Sequence, residues 1–304
     1  MSAVWLDGVV RERPLLLPGH SACAGCGPAI NLRHVLGALS EAVPESRIVL
    51  VIPASCWTII AGVWPVSAFD VAVHLTPFAS AAAEASGIKA ALRLRGMEDA
   101  TVVVWGGDGS TDDIGFSGVS AAAERNEDIL YVLNDNEAYM NTGVQKSGAT
   151  PEGAWTTTTP VAAPRRGEKK DMARIVAAHR VPYVATLAAG SVPMLRDFRA
   201  KVAKAAGMSG FRFLHVLGAC PPGWRYPTAR TTSVTRLAVE SRIFPLAECE
   251  HGDWRITYRP KHPLPVRDYL AAQGRFAHLS PSAIAEIEAH VDDRWRELEA
   301  EQHA

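Results

Sequence analysis

The sequence has no excess charge of either sign, no long apolar run and few cysteines, and each absence removes a class of protein. Its 31 lysines and arginines balance 32 aspartates and glutamates, giving a net charge of −1, whereas a nucleic-acid-binding chain is usually basic. No uncharged apolar run reaches the roughly 20 residues of a transmembrane helix. Residues 1–7 contain no basic segment followed by an apolar one, so we expect no secretory leader. These absences predict a cytoplasmic protein that neither spans a membrane nor binds nucleic acid.

The five cysteines are too few for a disulfide framework in a chain of 304 residues and fit a role as thiolate ligands better. Cys23 and Cys26 form a CxxC in a glycine-bearing turn, and Cys56 and Cys220 each follow a predicted strand. These four could converge on one tetrahedral thiolate site for Zn²⁺ or for an iron–sulfur cluster. A CxxC alone is also compatible with a redox dithiol or with chance. Cys249 has no motif around it, and we interpret it as structural or incidental.

The remaining composition, with 48% hydrophobic and 21% charged residues, is that of an ordinary globular chain, long enough for one large α/β domain. Short apolar runs alternate with helical segments, which predicts a mostly parallel sheet with helices on both faces. The predicted strands are 48–52, 101–105, 129–133, 182–186 and 211–217. The predicted helices are 28–43, 80–95, 112–125 and 194–206.

Two further segments stand apart from this alternation. Residues 143–170 have little periodicity and include a basic run at 165–170, which indicates either a solvated loop or contact with a partner subunit or an anionic cosubstrate. After residue 220 the chain becomes proline-rich, and we predict a helix at 233–240, a β-rich piece at 254–259 and a helix at 281–302. We therefore interpret 1–230 as the α/β domain and 231–304 as a C-terminal extension that packs on the domain or on a partner subunit.

The most informative feature is a pair of polar turns, each directly after an apolar strand. The first turn contains Gly107-Asp108-Gly109, and Asn136 lies in the second, 28 positions after the aspartate. That spacing is about one strand–helix–strand unit, so both turns should meet at one edge of a parallel sheet. An acid, an amide oxygen and nearby carbonyls suit Mg²⁺, and the glycines let backbone N–H groups approach a phosphate. The pair predicts a diphosphate held through a metal, although Gly-Asp-Gly alone also makes ordinary turns.

This pair of turns resembles the thiamine diphosphate signature. A longer string at 135–145 points to a more specific family; it reads Asp-Asn-Glu-Ala-Tyr-Met-Asn-Thr-Gly-Val-Gln. It resembles the β subunit of the pyruvate:ferredoxin oxidoreductase family, the 2-oxoacid oxidoreductases that use thiamine diphosphate and iron–sulfur clusters. The similarity continues through 150–151, 153–158, 169–172 and 273–276, and so covers nearly the whole chain.

The resemblance implies the thiamine diphosphate-binding fold and a set of cofactor-binding residues. Asp108, the side-chain oxygen of Asn136 and the backbone carbonyl of Ala138 would bind Mg²⁺. Asn141 matches a family residue near the reacting carbon, which makes it the candidate catalytic residue; otherwise it is a turn residue or a helix cap. His20 precedes the CxxC and either lines the cofactor pocket or is a core histidine.

The resemblance also decides between zinc and iron–sulfur for the cysteines. In this family four cysteines of the thiamine-binding subunit hold a [4Fe–4S] cluster close to the cofactor. The matching positions here are Cys23, Cys26, Cys56 and Cys220.

The activity implied is oxidative decarboxylation of a 2-oxoacid to acyl-CoA and CO₂, with coenzyme A as cosubstrate and electrons passed through the cluster. Pyruvate is the expected substrate, but residues 73–78 look unlike the pyruvate enzymes, which leaves a bulkier acid such as phenylglyoxylate open. In the family, the glutamate that activates thiamine comes from an α subunit, and Glu137 is poorly placed for that role.

The chain also lacks the dense CxxCxxCxxxCP pattern of ferredoxins. We therefore expect a γ subunit and a ferredoxin-like subunit as further partners, with ferredoxin or an NAD-reducing subunit as electron acceptor. Two alternatives stay open: a thiamine-dependent decarboxylase or carboligase without electron transfer, and a zinc-stabilised, non-catalytic assembly subunit.

Overall fold

The computed structural model describes residues 14–63 and 65–302, so the expectation about a leader in residues 1–7 concerns residues outside this part. Strands and helices alternate through most of the chain. The strands are β1 (Ile48–Pro53), β2 (Ala72–Thr76), β3 (Thr101–Gly107), β4 (Leu130–Asp135), β5 (Tyr183–Leu187), β6 (Arg212–Leu217), β7 (Leu246–Glu250) and β8 (Asp253–Tyr258). The helices are α1 (Gly27–Ala42), α2 (Cys56–Ile60), α3 (Ala81–Leu94), α4 (Phe116–Glu124), α5 (Met172–Ala177), α6 (Val192–Ala206), α7 (Pro221–Trp224), α8 (Thr231–Glu240), α9 (Val266–Ala271) and α10 (Pro281–Gln302).

All eight strands form one sheet in the order β2-β1-β3-β4-β6-β5-β7-β8. The first six in this order run parallel, while β7 is antiparallel to β5 and β8 is antiparallel to β7. The predicted mostly parallel sheet is therefore confirmed.

Helices cover both faces of this sheet. Successive side chains of a strand point to opposite faces, and in β3 Val103 belongs to a buried cluster with Leu32 of α1. The next residue, Val104, belongs to a second cluster with Val119 of α4. Because both faces are buried, β3 and β4 contain continuous apolar runs, at 101–105 and 130–133, without alternating polar residues.

The helix predicted at 112–125 begins later than expected. Residues Gly109–Ile114 form a wide π-type turn, and α4 begins at Phe116. Asp112 and Asp113, the first two residues of the predicted helix, therefore lie in the π-helical turn and not in α4. Asp113 instead accepts hydrogen bonds from the Gly148 backbone N–H and from a tyrosine hydroxyl, contacts that hold its segment against a distant loop.

Beyond residue 230, β7 and β8 continue the same sheet, because β7 pairs with β5. The helices of this region pack around a third buried cluster that includes Trp224, Tyr269 and Val291. The division of the chain into 1–230 and 231–304 stays a proposal. Within residues 14–63 and 65–302, no helix combines the length and the apolar character needed to cross a membrane.

Candidate functional site

Four neighbouring strands end at the edge of the sheet where the two polar turns lie. The pairing of β3 with β4 sets Gly107 opposite Asn134, and that of β4 with β6 sets Asp135 opposite Leu217. The residues that follow these strands therefore meet at one edge. The strand order also reverses between β1 and β3, and ligands of parallel sheets bind at such reversals.

An open cleft of about 210 Å³ lies at this edge. Its walls come from the ends of β1, β3 and β4 and from the loops that follow them. The predicted site residues in its lining are Cys56, Gly107, Asp108, Gly109, Asn136, Ala138 and Asn141. The structure thus brings into one cavity residues that are up to 85 positions apart in the chain.

Three polar groups converge in this cleft: the Asn136 amide, the Ala138 backbone carbonyl and the Asp108 carboxylate. One amide atom of Asn136 lies 2.7 Å from the Ala138 carbonyl oxygen and 3.1 Å from Asp108 Oδ1. Without a cation, the amide nitrogen would face both acceptors and donate to them. When the amide oxygen faces them, three oxygens meet, and this is the hard donor set that Mg²⁺ prefers. These residues therefore fit a magnesium ion.

The Asp108 carboxylate is buried and stands next to other acids. Burial, together with the negative charge of Asp135, raises the pKa of Asp108 well above its usual range. Its Oδ2 accepts a hydrogen bond from the hydroxyl of Ser147. A bound divalent cation would reverse the shift, because a nearby positive charge favours the ionised carboxylate.

The first turn contains two glycines, and a side chain would be unfavourable at each of them for a different reason. A Cβ on Gly109 would lie 2.2 Å from the ring of Tyr139, whose hydroxyl donates to the Gly109 carbonyl over 3.1 Å. A Cβ on Gly107 would meet only Ser55, at 3.9 Å. Since Gly107 lines the cleft, a side chain there would occupy space that a phosphate group needs.

The cysteine-bearing loops are tied to each other by backbone hydrogen bonds. The Gly27 backbone N–H, directly after Cys26, donates to the Ala219 carbonyl over 3.1 Å, directly before Cys220. Thr231 donates its hydroxyl to the carbonyl of Gly25. The CxxC turn and the loop after β6 therefore form one unit.

The four cysteine thiols influence one another. Burial raises the pKa of Cys26 and of Cys220 to about 12 each, and the neighbouring cysteines add to the rise. Burial and the charges of Cys23 and Asp108 also raise the pKa of Cys56. All five cysteines are unpaired. Nevertheless, in the described part of the chain, no three His, Cys, Asp or Glu side chains are placed to hold a single metal ion.

Cys56 connects the cysteine group to the cleft, because it lines the cavity that contains Asp108. It is the first residue of α2, and Ser55 caps this helix by accepting a hydrogen bond from the Trp57 backbone N–H over 3.2 Å. The cap fixes the turn between β1 and α2. The set of cysteines and the set of oxygen donors are therefore neighbours at one edge of the sheet.

His20 takes no part in the lining of the cleft. It is half-buried, and its Nε2 lies 3.1 Å from a guanidinium nitrogen of Arg33. Burial and this guanidinium lower the pKa of His20. Its predicted contact with the cofactor stays a prediction.

Of residues 73–78, only Phe78 lines the cleft. Residues 73–76 belong to β2 at the edge of the sheet, where Leu75 is 45% exposed. An effect of this segment on the size of the substrate would therefore act through Phe78.

A buried cluster of charges lies behind the second turn. Glu137 pairs with Arg275 over 2.6 Å and with Lys169 over 2.8 Å. Lys169 also reaches Asp135 at 3.2 Å, and His215 lies 2.8 Å from the same carboxylate. Burial alone would raise the pKa of Asp135, but the lysine and the histidine outweigh it and lower the pKa to about 2.

The sequence did not reveal this cluster. Most of the basic run at 165–170 is exposed, as expected of a solvated loop, but the Lys169 side chain is only 14% exposed and pairs with acids of its own chain. The available signal was the pair Asp135 and Glu137 on either side of Asn136, because buried acids need counter-charges. Glu137, held by two cations with a φ of 67°, is not among the residues that line the cleft.

Comparisons with known proteins agree with this geometry. The family model described as "Thiamine pyrophosphate enzyme, C-terminal TPP binding domain" matches residues 63–216. The ketoisovalerate oxidoreductase subunit VorB of Pyrococcus furiosus is 43% identical over 290 residues, which cover 92% of this chain and 91% of that protein. The pyruvate synthase subunit PorB of Methanocaldococcus jannaschii is 45% identical over 291 residues, with 92% and 95% covered.

Among solved structures, the 2-oxoglutarate:ferredoxin oxidoreductase of Magnetococcus marinus superimposes with a TM-score of 0.57 at 21% sequence identity. The match covers 71% of this chain and 77% of that one. At this identity, the likeness supports the fold.

Proposed function

This chain belongs to the thiamine diphosphate-binding β subunits of the 2-oxoacid oxidoreductase family, and we propose that it is the catalytic subunit of a complex that oxidatively decarboxylates a 2-oxoacid to acyl-CoA and CO₂. The observation that carries the proposal is the shared cleft. Asp108, Asn136 and Ala138 converge there as oxygen donors, and Cys56 lies in the same lining. A cofactor site and one ligand of a redox centre are thus neighbours.

The residues that would hold the cofactor follow from the geometry of the cleft. Asp108, Asn136 and the Ala138 carbonyl would bind Mg²⁺, and the turn of Gly107 and Gly109 would accept the diphosphate. When bound, thiamine diphosphate supplies a carbanion for attack on a ketone and accepts the electrons released with CO₂. The chain positions the metal ion and the diphosphate and provides the walls of the cleft around them.

Asn141 is our candidate catalytic residue, because it lines the cleft and carries an amide that can hydrogen-bond the substrate. Phe78 and Met140 give the same cleft an apolar wall. Pyruvate is the substrate we propose first. A branched or aromatic 2-oxoacid, such as phenylglyoxylate, would have to fit against that wall.

Cys23, Cys26, Cys56 and Cys220 are the proposed ligands of a [4Fe–4S] cluster. When bound, such a cluster accepts single electrons. A cluster distributes its cysteine ligands over separate iron atoms, and the thiols of Cys26 and Cys220 lie near those of Cys23 and Cys56. We choose iron–sulfur over zinc because of the resemblance to the family.

The cleft needs a partner to be complete. Asp108 is the only carboxylate in its described lining, and this group would be used by the metal. A glutamate that activates the aminopyrimidine ring must then come from another chain, and we assign it to an α subunit. A γ subunit, a ferredoxin-like subunit and ferredoxin or an NAD-reducing subunit would complete electron transfer. The unpaired cysteines suit a reducing, cytoplasmic location.

The test is an assay of the purified complex for 2-oxoacid-dependent reduction of methyl viologen. We expect reduction with pyruvate only when coenzyme A is present, with ketoisovalerate and phenylglyoxylate as comparison substrates. Asp108→Asn should abolish the reaction, while Asp293→Asn, on the exposed side of α10, should not. Release of CO₂ without dye reduction would indicate a non-redox decarboxylase instead. Neither activity, with zinc bound, would indicate an assembly subunit.

A further inference from the structure

We propose that Ser147 is a positioning residue that orients the Asp108 carboxylate for metal binding. The inference rests on the proposed function, because it assumes that Asp108 binds Mg²⁺. Ser147 lies outside both polar turns, 39 positions after Asp108. It is not among the residues that line the cleft.

The two oxygens of Asp108 have different partners. Oδ2 accepts the hydroxyl hydrogen of Ser147, a fully buried residue. Oδ1 lies on the other side, 3.1 Å from the Asn136 amide, where the metal would bind. With Oδ2 occupied, one oxygen is left for the cation, so the carboxylate is presented in a single orientation.

The hydroxyl group of Ser147 is itself held in one direction. The Ala149 backbone N–H donates to Ser147 Oγ over 3.2 Å, which uses the oxygen as an acceptor. The hydroxyl hydrogen therefore points elsewhere, and Asp108 Oδ2 is a nearer acceptor than Thr150 Oγ1, which lies 3.4 Å away. Arg165 fixes the backbone of the same residue by donating to the Ser147 carbonyl over 2.9 Å.

The turn that contains Ser147 also reaches the second metal-binding loop. Ser147 donates its backbone N–H to Thr150 Oγ1 over 2.9 Å. Thr150 donates its hydroxyl to the Glu137 carbonyl over 2.8 Å, in the loop between Asn136 and Ala138. Residues 147–150 thus hold the two loops of proposed metal ligands at a fixed separation.

The consequence is a prediction about metal affinity. Hydrogen bonds to a ligating carboxylate fix its orientation, and their loss typically weakens metal binding by about 10–100-fold. In Ser147→Ala, Asp108 would keep an unpartnered buried oxygen and could rotate. We expect the dissociation constant for the cation to rise by about 10–100-fold.

The experiment uses the purified complex after removal of bound Mg²⁺ with a chelator, titrated with Mn²⁺ in the presence of thiamine diphosphate. The EPR signal of free Mn²⁺ gives the dissociation constant. Ser147→Ala should bind more weakly, and Ser147→Thr, which keeps the hydroxyl, should recover most of the affinity. Ser241→Ala is the matched control, because Ser241, directly after α8, is similarly buried but donates its hydroxyl to the Ala238 carbonyl within that helix.

The outcomes separate the two claims. Equal Mn²⁺ affinity in wild type and Ser147→Ala would overturn this inference alone. A wild-type complex without saturable Mn²⁺ binding would overturn the proposed metal site itself. If Ser147→Ala does not fold, as judged by its thermal unfolding beside Ser241→Ala, Ser147→Cys replaces it. The thiol is a weak donor of similar size, so it should shift the affinity in the same direction, and an unchanged affinity would again contradict the inference.

Discussion

The indole N–H of Trp224 donates a hydrogen bond to the backbone carbonyl oxygen of Asn136 over 2.8 Å. Trp224 ends the short helix α7, four positions after Cys220, and its ring lies 4.0 Å from the guanidinium carbon of Arg275. One buried side chain therefore joins the loop of a proposed metal ligand to the segment of a proposed cluster ligand. The two proposed sites are therefore supported by the same side chain and lie at the same edge of the sheet.

Trp224→Phe should destabilise the protein by about 1–3 kcal/mol, because it leaves the buried Asn136 carbonyl without this donor. Trp105→Phe is the matched control. Trp105 is equally buried, but its indole nitrogen has no hydrogen-bond partner, so the same substitution removes no hydrogen bond. Urea unfolding of both variants measures the difference. Equal losses of unfolding free energy would show that the Trp224–Asn136 bond contributes nothing.

Arg275→Met should cost about 3–5 kcal/mol of unfolding free energy, because removing one member of a buried ion pair leaves an uncompensated charge. The charge here is on Glu137, which would retain only Lys169. Arg296→Met removes an arginine from an exposed pair with Asp293 and should cost less than about 1 kcal/mol. Chemical denaturation compares the two, and a loss at Arg275 as small as that at Arg296 would contradict the assigned role.

Asp112→Asn should stabilise the protein at neutral pH. Both oxygens of this buried carboxylate lack hydrogen-bond partners. Burial and the charges of Asp135 and Asp108 raise its pKa well above the usual value, despite the opposing charge of Lys169. A neutral amide removes the cost of the charge, and each unit by which burial raises the pKa corresponds to about 1.4 kcal/mol.

The pH dependence of that gain has a definite sign. A carboxyl with a raised folded-state pKa costs no stability below its unfolded pKa, near 3.9. The cost grows as pH rises from there toward the folded-state pKa and is complete above it. Unfolding free energies of wild type and Asp112→Asn should therefore differ at pH 7 and converge near pH 3.5. A gain that is independent of pH would refute the electrostatic explanation.

Cys220→Ser should remove the iron–sulfur centre, because it deletes one of the four proposed ligands. Cys249→Ser provides the control: its thiol is buried and unpaired but lies in β7 among apolar neighbours. Iron content and visible absorption of the anaerobically purified complex check both variants. Full iron in Cys220→Ser, or an equal loss in Cys249→Ser, would remove Cys220 from the ligand set.

The strands that could be predicted from the local sequence are those that consist of an unbroken apolar run. The segments 101–105 and 129–133 are unbroken apolar runs, and β3 and β4 contain nearly all of both. In contrast, β2 was not predicted. This strand lies at the edge of the sheet, and most of its residues are at least partly exposed whichever face they point to. Its sequence therefore lacks the alternation of apolar and polar residues that indicates a strand.

The supporting residues of the site could not be predicted for a different reason. Ser147 and Arg275 contact Asp108 and Glu137 across 39 and 138 positions, and no spacing rule connects side chains so far apart. The glycine–aspartate turn and the asparagine turn were accessible because one strand–helix–strand unit separates them. The contacts that hold these turns depend on tertiary packing.

The most direct test of the account is the visible absorption of the complex, purified without oxygen and titrated with pyruvate and then phenylglyoxylate in the presence of coenzyme A. The account predicts broad iron–sulfur absorbance that is bleached by one of these acids, which would establish electron transfer from the substrate and identify its class. A complex without this absorbance, in which elemental analysis finds zinc in place of iron, would contradict the electron-transfer mechanism.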